Sequence, residues 1–309
     1  MSDTFFTAAP DWTWFIVPYF FVGGIAGGAY FLAALLDWFG GAEDRSVVRT
    51  GYYVAAIGGL VSGALLTLDL GRPERFWHML FQSNNLPGLS LKTWSPISFG
   101  SWILLLFSLF AILSALGARA EEGKSLSLRA LHGTGLAKFV ALVGGLLGLG
   151  FGGYTGVLLA VTNRPIWADS PWLGALFLAS GVSTGAATLV LLGLRRGAAQ
   201  RSLQWLSAVD NRALLVELVI LALFLASLGQ VFRVWLSGWG VVLLVGVVGA
   251  GILLPLGLHL RPGSFGRLAA QPMVNAARLV LVGGFLLRFV TLLASEGIEH
   301  HRVATGVLP

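Results

Sequence analysis

Residues 13 to 36, TWFIVPYFFVGGIAGGAYFLAALL, form an apolar run that contains no charged side chain. A helix of about 20 apolar residues crosses the hydrocarbon core of a bilayer, so this run predicts a transmembrane helix. The paired glycines of GGIAGG predict a face against which other helices pack closely. Lipid is therefore the expected solvent for this part of the chain.

Similar runs recur along all 309 residues, of which 56% are hydrophobic and 11% are charged. Such a composition is too apolar for a soluble domain. The runs predict eight transmembrane helices, at 13–36, 47–70, 96–116, 135–161, 171–194, 208–236, 239–260 and 274–295. The expected fold class is an all-α integral membrane protein.

Lysine and arginine are concentrated in alternate loops, those that follow the first, third, fifth and seventh runs. The positive-inside rule then predicts that both termini lie on the outer, periplasmic side of a bacterial or archaeal inner membrane. These loops also account for the net charge of +6 without a nucleic-acid partner. Asp3 and Asp11 precede the first run without any basic residue, which predicts a retained helix and not a cleaved signal peptide.

The second half of the sequence resembles the first. GIAGGAYFLAALL from Gly24 aligns with GVSTGAATLVLLG from Gly181, and DLGRPERFW (69–77) aligns with SLGQVFRVW (227–235). Because four is an even number, two four-helix units in tandem share one orientation. We therefore predict two tandem four-helix bundles, residues 1–165 and 166–309, although chance matching between glycine-rich and leucine-rich helices is an alternative.

The two copies differ in their polar residues. Asp69 aligns with Ser227, and Arg72 aligns with Gln230. An ionisable residue in the membrane costs on the order of 2.5–3.5 kcal/mol, so its retention in one copy indicates a site in the first bundle. The spacing of three places Asp69 and Arg72 on one helix face. They form either a local ion pair before Pro73 or a proton-exchange site in which Arg72 keeps Asp69 ionised.

Aromatic residues near the same outer level are further candidates. Tyr154 lies about five residues from the outer end of its helix, where its hydroxyl could donate to a quinone carbonyl. Trp14, Tyr19 and Phe20 on the first helix would suit the walls of a quinone head-group site. For all four residues, the interfacial aromatic belt or core packing is the alternative.

Three other ionisable residues need an explanation. His78, at the outer surface, is either a proton relay or an ordinary surface histidine. Glu217 and Arg288 lie inside predicted helices, where they form either a structural tie, with each other or with Asp210, or part of a proton path. Glu74 and Arg75 lie near water, where docking of a partner is the expected role.

The redox groups that this protein could hold itself are limited. It contains no cysteine, which excludes iron–sulfur ligation by its own side chains. None of its five histidines falls in the middle of a predicted helix, so we expect no haem. No grouping of acidic residues and histidines predicts a metal site. A bound quinone is the one electron carrier that the protein could host.

DLGRPERFW, together with SPISFGSWIL from Ser95, YTGVLLA from Tyr154, SGVSTGA from Ser180 and GGFLLRFV from Gly283, resembles the NrfD-like family of polysulfide reductase membrane subunits. The resemblance runs along nearly the whole sequence. It implies a haem-free subunit with eight core helices in two four-helix bundles. It also implies an iron–sulfur partner with four cubane clusters, bound in turn to a molybdopterin catalytic subunit, and electron exchange with quinone near the outer surface of the first bundle.

Carried over to this sequence, the resemblance places Asp69 and Arg72 beside the quinone and makes Tyr154 a hydrogen-bond donor to it. Some relatives also use a histidine on the first helix, and Tyr19 stands near that place here. The expected function is that of a quinone-binding anchor subunit of a respiratory oxidoreductase complex, with menaquinone or ubiquinone as its substrate. The alternatives are a small-molecule or ion transporter built from two four-helix repeats, and a passive membrane anchor without a quinone site.

Overall fold

The computed structural model describes residues 12, 14–81, 88–92, 94–123, 133–260 and 271–304, with side chains described as far as residue 295. Asp3, Asp11 and the predicted helix start at residue 13 lie outside this description. The long helices are α1 (Ile16–Phe39), α2 (Arg45–Asp69), α3 (Pro96–Glu121), α4 (Gly135–Ala160), α5 (Leu173–Arg195), α6 (Gln200–Ser227), α7 (Gly238–Leu260) and α8 (Pro272–Ala304). Short 3₁₀ helices lie at Ala42–Asp44, Pro73–Met79 and Gly229–Leu236.

The prediction of an all-α membrane protein is confirmed for this part of the chain. Seven of the helices are long and apolar enough to cross a bilayer, and α6 with the 3₁₀ helix that follows it makes an eighth if that bent pair is counted as one span. Among the described residues, β-pairing is limited to one isolated antiparallel bridge between Phe81 and Leu89. The fold is therefore a set of packed transmembrane helices.

The predicted helix at 208–236 was wrong at both ends. α6 begins at Gln200, and it ends at Ser227 because Gly229 adopts a left-handed φ of 54°. The following 3₁₀ helix turns away from α6 by 112°. The early start was not predicted because residues 200–204, QRSLQ, are mostly polar and do not belong to an apolar run. α7 also departs from a regular helix, since residues 242–253 are π-helical.

α1 is the central helix and packs on α2, α4, α5 and α8. Its small residues permit this arrangement. A Cβ atom at Gly27 would overlap the carbonyl oxygen of Gly148 on α4, and a Cβ atom at Gly28 would overlap that of Gly181 on α5. The packing role predicted for GGIAGG is therefore confirmed, because only glycine allows these backbones to approach so closely.

The remaining contacts close each half of the protein and join the two halves. α2 packs on α3, and α3 packs on α4, so helices α1 to α4 close into a ring. In the second half, α5 contacts α6 and α8, and α7 contacts α8. α5 also packs on α1 and α4, which joins the two halves along a long shared surface.

The connection between α4 and α5 is fixed against the last helix. The indole Nε1 of Trp167 donates to the carbonyl oxygen of Thr291 on α8 at 2.7 Å, and Trp12 stacks on the Trp167 ring. Ile166, which is fully buried, has a φ of 72°, a strained value for a β-branched residue. Its N–H donates to Asp169 Oδ2 at 2.9 Å. These contacts hold the loop in one conformation.

Candidate functional site

The end of α2 carries the first predicted pair. Asp69 is the last residue of α2 and is half-buried, while Leu70 is already extended, with a ψ of 127°. Arg72 is exposed and is the N-cap residue of the 3₁₀ helix, whose first residue is Pro73. The expectation that Asp69 and Arg72 share one helix face was therefore wrong, because the residue before a proline is disfavoured in the α conformation and the helix stops before reaching it.

The 3₁₀ helix Pro73–Met79 holds the remaining polar residues of this stretch. Glu74 and Arg75 are exposed, in agreement with the expectation that they lie near water. His78 is half-buried, its ring stacks on Trp77 at a centroid distance of 3.7 Å, and its Nδ1 lies 3.1 Å from the carbonyl oxygen of Arg75. The imidazole is thus held in a defined orientation.

Tyr154 is buried and bridges α4 to the first turn of α3. Its hydroxyl donates to the carbonyl oxygen of Pro96 at 2.7 Å. The ring passes over Gly100, where a Cβ atom would overlap it. Pro96 and Gly100 both belong to SPISFGSWIL. No sequence pattern had indicated that either residue contacts Tyr154. Since a phenol has one hydrogen and Pro96 receives it, Tyr154 in this state can only accept a further hydrogen bond.

The predicted aromatic set separates into two groups. Tyr19 is buried beside Phe151, at a centroid distance of 6.2 Å, and close enough to Tyr154 for an electrostatic interaction. Phe20 instead packs on Phe177 of α5, and the exposed Trp14 lies over Phe289 of α8. Trp14 lies before the first residue of α1, although the predicted helix included it. Of these three residues, Tyr19 is therefore the one that faces Tyr154.

An apolar groove lies between α2 and α3, beneath the 3₁₀ helix, with a volume of about 350 Å³. We call it the α2–α3 groove. Thr67 and Leu70, which flank Asp69 closely in sequence, line one wall. Ser101, the residue after Gly100, lines the opposite wall. Its other lining residues are mostly apolar and include Leu60, Leu66, Phe76, Met79, Leu80, Leu104 and Leu105. Sequence reasoning missed this groove, because no pattern within one helix indicates a gap between two.

Arg288 is fully buried and connects the two halves of the protein. Its Nε donates to the carbonyl oxygen of Phe20 on α1 at 3.1 Å, and its Nη1 donates to Ser180 Oγ on α5 at 3.1 Å and to the carbonyl oxygen of Gly284 at 2.8 Å. Glu217, also buried, interacts with the Ser180 hydroxyl and with the charge of Arg288. Both residues thus share Ser180.

Further polar groups lie along the same face of α6. Ser183 donates to Asp210 Oδ1 at 2.6 Å. Ser207 Oγ and Asn211 Oδ1 are buried, and neither has a hydrogen-bond partner among the described residues. Buried polar atoms of this kind are common positions for ordered water. The interior of the second half therefore contains a polar column, of which Glu217 and Arg288 were the two members singled out by sequence.

A second polar cluster, at the opposite end of the first half from Asp69, was not predicted. Arg45 pairs with Asp37 and with Glu121, whose Oε2 lies 2.6 Å from Nη2. Tyr52 donates to Asp37 Oδ2 at 2.9 Å, and a cavity of about 170 Å³ opens beside these residues. Asp37 directly follows the first apolar run, which is the signal that could have indicated it. Among the described residues, no grouping of acidic residues and histidines could hold a metal ion.

The apolar helices define a multi-pass integral membrane protein. The sequence matches the family described as "Polysulphide reductase, NrfD" over residues 5–298, and the protein belongs to that family. The resemblance read from the sequence motifs is thereby confirmed.

Three characterised relatives are similar over most of their lengths. The C chain of polysulfide reductase from Wolinella succinogenes is 29% identical, with 92% of this protein and 94% of the relative aligned. Protein NrfD of Escherichia coli is 30% identical, with 92% and 95% aligned. The NrfD homolog of Haemophilus influenzae is 28% identical, with 92% and 94% aligned. The protein therefore corresponds to nearly the whole of each relative.

Proposed function

We propose that this protein is the quinone-binding anchor subunit of a respiratory oxidoreductase complex in the inner membrane, and that it is not catalytic without its partners. Membership of the NrfD family and similarity to the C chain of a polysulfide reductase support the proposal. The α2–α3 groove is the observation that carries the quinone assignment, because both DLGRPERFW and SPISFGSWIL contribute to its walls.

The groove fits the chemistry of a membrane quinone. Its volume of about 350 Å³ falls within the roughly 300–1,000 Å³ usual for small-molecule sites. Its mostly apolar walls suit an isoprenoid tail, and Leu60 and Leu105 are exposed where the groove meets lipid. Thr67 and Ser101 donate their hydroxyl hydrogens to the carbonyl oxygens of Gly63 and Ile97. Their oxygens can therefore accept hydrogen bonds from the hydroxyl groups of a quinol. Menaquinone and ubiquinone share these features.

Asp69, Arg72, Tyr154 and Tyr19 are not among the described residues that line the groove. They are proposed to act on the head group at its polar end. A bound quinone supplies two-electron, two-proton redox chemistry. Asp69 takes up or returns a proton, and Arg72 helps to hold the head group, since its guanidinium can donate to a head-group oxygen. Tyr154 orients the head group through its hydroxyl, either by accepting from a quinol or by exchanging its bond to the Pro96 carbonyl oxygen. Tyr19 provides a second phenol beside it.

Proton movement beyond the head group uses further residues. His78 relays protons to the aqueous side, since its imidazole is held in place by Trp77. A second path, through Glu217 and Arg288, is supported by the unpartnered buried oxygens along α6. Phe20 and Trp14 contribute apolar walls between the head group and the second half of the protein.

The proposed architecture is two tandem four-helix bundles, residues 1–165 and 166–309, with both termini on the outer side. The ring of contacts among α1 to α4 and the charge distribution of the loops support it. Quinone binds in the first bundle, near the outer surface. The exposed 3₁₀ helix, with Glu74, Arg75 and Phe76, provides a docking surface for the partner on that side.

The proposed partner is a ferredoxin-like iron–sulfur subunit with four cubane clusters, bound in turn to a molybdopterin catalytic subunit. The absence of cysteine from the sequence supports an external electron carrier. Electrons pass between the quinone and the nearest cluster, and the geometry is compatible with either direction. A docked partner is therefore required for turnover.

The Asp69→Asn variant tests the proposal most directly. We expect quinone-linked turnover of the complex to be abolished, with subunit assembly unchanged, because the amide cannot exchange protons. Glu43→Gln is the matched control, since Glu43 is an exposed carboxylate beyond the other end of α2. Turnover would be measured with a short-chain quinol in membranes. Unchanged turnover in Asp69→Asn would refute the proton role.

Purification of the native complex in mild detergent distinguishes the three functions considered. A co-purifying iron–sulfur subunit together with extractable quinone supports the proposal. Partner subunits without quinone, and without quinol oxidation, indicate a passive anchor. A protein purified with neither, but able to catalyse solute uptake in liposomes, indicates a transporter.

A further inference from the structure

A second open site lies at the other end of α2, between its first turns and the ends of α3 and α5. It has a volume of about 550 Å³, and α2 lines it with Ser46, Arg49, Tyr53 and Ile57. The positive-inside rule predicts that this end faces the cytoplasm. We call it the arginine pocket.

Two further arginines complete its lining. Arg119 comes from the last turn of α3, and Arg196 caps the end of α5. Among the described residues of the lining, Glu122 is the single acidic one, against three arginines. The pocket therefore carries an excess of positive charge, and guanidinium groups are suited to bidentate bonding of phosphate oxygens.

The side chains around the pocket are held in place by one another. Arg49 Nε lies 3.9 Å from Glu122 Oε1, and the Tyr53 hydroxyl donates to Glu122 Oε2 at 3.3 Å. The guanidinium of Arg196 lies over the Tyr53 ring at 5.3 Å, and its Nη1 donates to Thr50 Oγ1 at 3.3 Å. Arg49 and Arg196 are therefore held beside the opening of the pocket and do not extend freely into water.

The same face of α2 becomes apolar with depth. Arg49, Tyr53 and Ile57 are spaced by four residues, which places them in one row along the helix. Ile57 is 64% exposed and Val61, four residues further on, is 40% exposed, so the row continues as an open apolar surface. At 1.5 Å per residue, Ile57 lies about 12 Å deeper than Arg49. A ligand that lies along this row meets charge at one end and hydrocarbon at the other.

From this arrangement we infer that the arginine pocket binds the phosphate head group of an anionic phospholipid, whose acyl chains lie along Ile57 and Val61. Basic pockets between transmembrane helices on the cytoplasmic side are suited to such head groups. A soluble phosphate compound would use the arginines but would not use the exposed apolar row. The site is distant in sequence from Asp69 and Tyr154, and it does not depend on the proposed quinone chemistry.

Lipid binding to the delipidated full-length protein in detergent tests the inference. Native mass spectrometry would measure retention of phosphatidylglycerol and cardiolipin, with phosphatidylcholine and inorganic phosphate as separate probes. We expect both anionic lipids to bind and phosphatidylcholine to bind at least about fivefold more weakly, since each arginine near a lipid phosphate contributes about 1 kcal/mol, or about fivefold. Equal retention of phosphatidylcholine would overturn the inference, and so would displacement of the lipid by inorganic phosphate at an equal concentration.

Charge-matched variants locate the site. Arg49→Gln, Arg119→Gln and Arg196→Gln, combined, should weaken anionic-lipid binding on the order of 100-fold, from about fivefold for each arginine. The control combines Arg195→Gln, Arg212→Gln and Arg278→Gln, three exposed arginines outside the pocket. If the first triple variant does not fold, the single Arg119→Gln change at an exposed position should still give about fivefold weakening. Equal binding by the pocket and control variants contradicts the inference.

Discussion

The ends of α2 and α6 have the same architecture but different polar residues. Each helix is followed by a 3₁₀ helix, Pro73–Met79 in one case and Gly229–Leu236 in the other. A proline ends the first and a glycine with a φ of 54° ends the second. Asp69 and Arg72 have Ser227 and Gln230 as counterparts. Helix-end geometry is thus repeated by two unrelated local devices. The acidic residues Asp69 and Glu74 occur only at the first of these ends, whereas both ends keep an arginine, Arg75 in one and Arg233 in the other.

Buried charged residues in the interiors of the two halves have the opposite distribution. In the second half, Arg288, Glu217 and Asp210 are all buried among helices. In the first half, the corresponding depth is occupied by aromatic residues such as Phe107 and Phe151, which stack at 5.2 Å. The comparison teaches that polar residues were not simply lost from one copy. Each half keeps its charges at a different depth, which suits a surface site in one and an internal column in the other.

The largest expected effect comes from removal of the charge inside the second half. Arg288→Leu should lower the free energy of unfolding by about 3–5 kcal/mol, because Glu217 would then be left as an uncompensated buried carboxylate. Thermal unfolding in detergent would measure the change. Arg278→Leu, at an exposed position of the same helix, is the control. The Arg288→Leu, Glu217→Leu double variant should recover much of the loss, and no recovery would argue against coupling of the two residues.

Gly100→Ala tests the packing of the first half. A methyl group at this position would overlap the Tyr154 ring, so we expect a loss of about 1–3 kcal/mol in the free energy of unfolding. Gly150→Ala is the matched control on α4, since nothing lies within 4 Å of a Cβ there. This control should be neutral or stabilise by up to about 1 kcal/mol. A similar loss in both variants would contradict the close approach of Tyr154 to α3.

Tyr154→Phe and Tyr30→Phe separate structural hydrogen bonds from a functional one. The Tyr30 hydroxyl lies 2.6 Å from Ser114 Oγ and 3.1 Å from the carbonyl oxygen of Val140. Tyr154→Phe should cost about 0.5–1.5 kcal/mol of stability, as expected for one hydrogen bond, and Tyr30→Phe should cost up to about twice as much, because its hydroxyl has two partners. Only Tyr154→Phe should slow quinone-linked turnover, on the order of tenfold. If the two changes slowed turnover equally, Tyr154 would contribute only to folding.

The smallest effect on stability is expected from transplanting the polar residues of one helix end into the other. Asp69→Ser combined with Arg72→Gln gives the first half the residues of the second. Because Arg72 is exposed and Asp69 is half-buried, the free energy of unfolding should change by no more than about 1 kcal/mol. Quinone-linked turnover should nevertheless be lost. A large loss of stability would mean that Asp69 and Arg72 stabilise the helix end and do not serve the chemistry.

Much of the fold could be predicted from apolar runs, because the length of a membrane helix is fixed by the thickness of the hydrocarbon core. α3 and α4 were predicted to begin at the observed residues, Pro96 and Gly135. The start of α6 was not predicted, because residues 200–204, QRSLQ, are mostly polar and resemble a loop when packing is unknown. The end of α2 was predicted to within one residue, at 70 against the observed Asp69. The end of α6 at Ser227 was misjudged, since apolar residues of the following 3₁₀ helix continue the run after the helix has stopped.

For the candidate site, too, part could be predicted from the sequence and part could not. Asp69, Arg72, Tyr154 and Arg288 could be selected from sequence, because charged or phenolic groups near hydrocarbon are costly and therefore informative. Their partners could not be selected. Pro96 accepts from Tyr154 through its backbone, and Phe20 accepts from Arg288 in the same way. Backbone acceptors have no signature in the side-chain sequence.

The sequence by itself determined that this is a helical membrane protein of the NrfD family, and it identified the polar residues that the membrane would otherwise exclude. Hydrophobic length and unusual charge are local properties, so they can be read one helix at a time. Only the tertiary structure decided that Tyr154 faces Gly100, that Arg288 joins the two halves, and that a groove and an arginine pocket lie at opposite ends of α2. These features depend on the distance between helices far apart in the sequence, and that distance is set by packing.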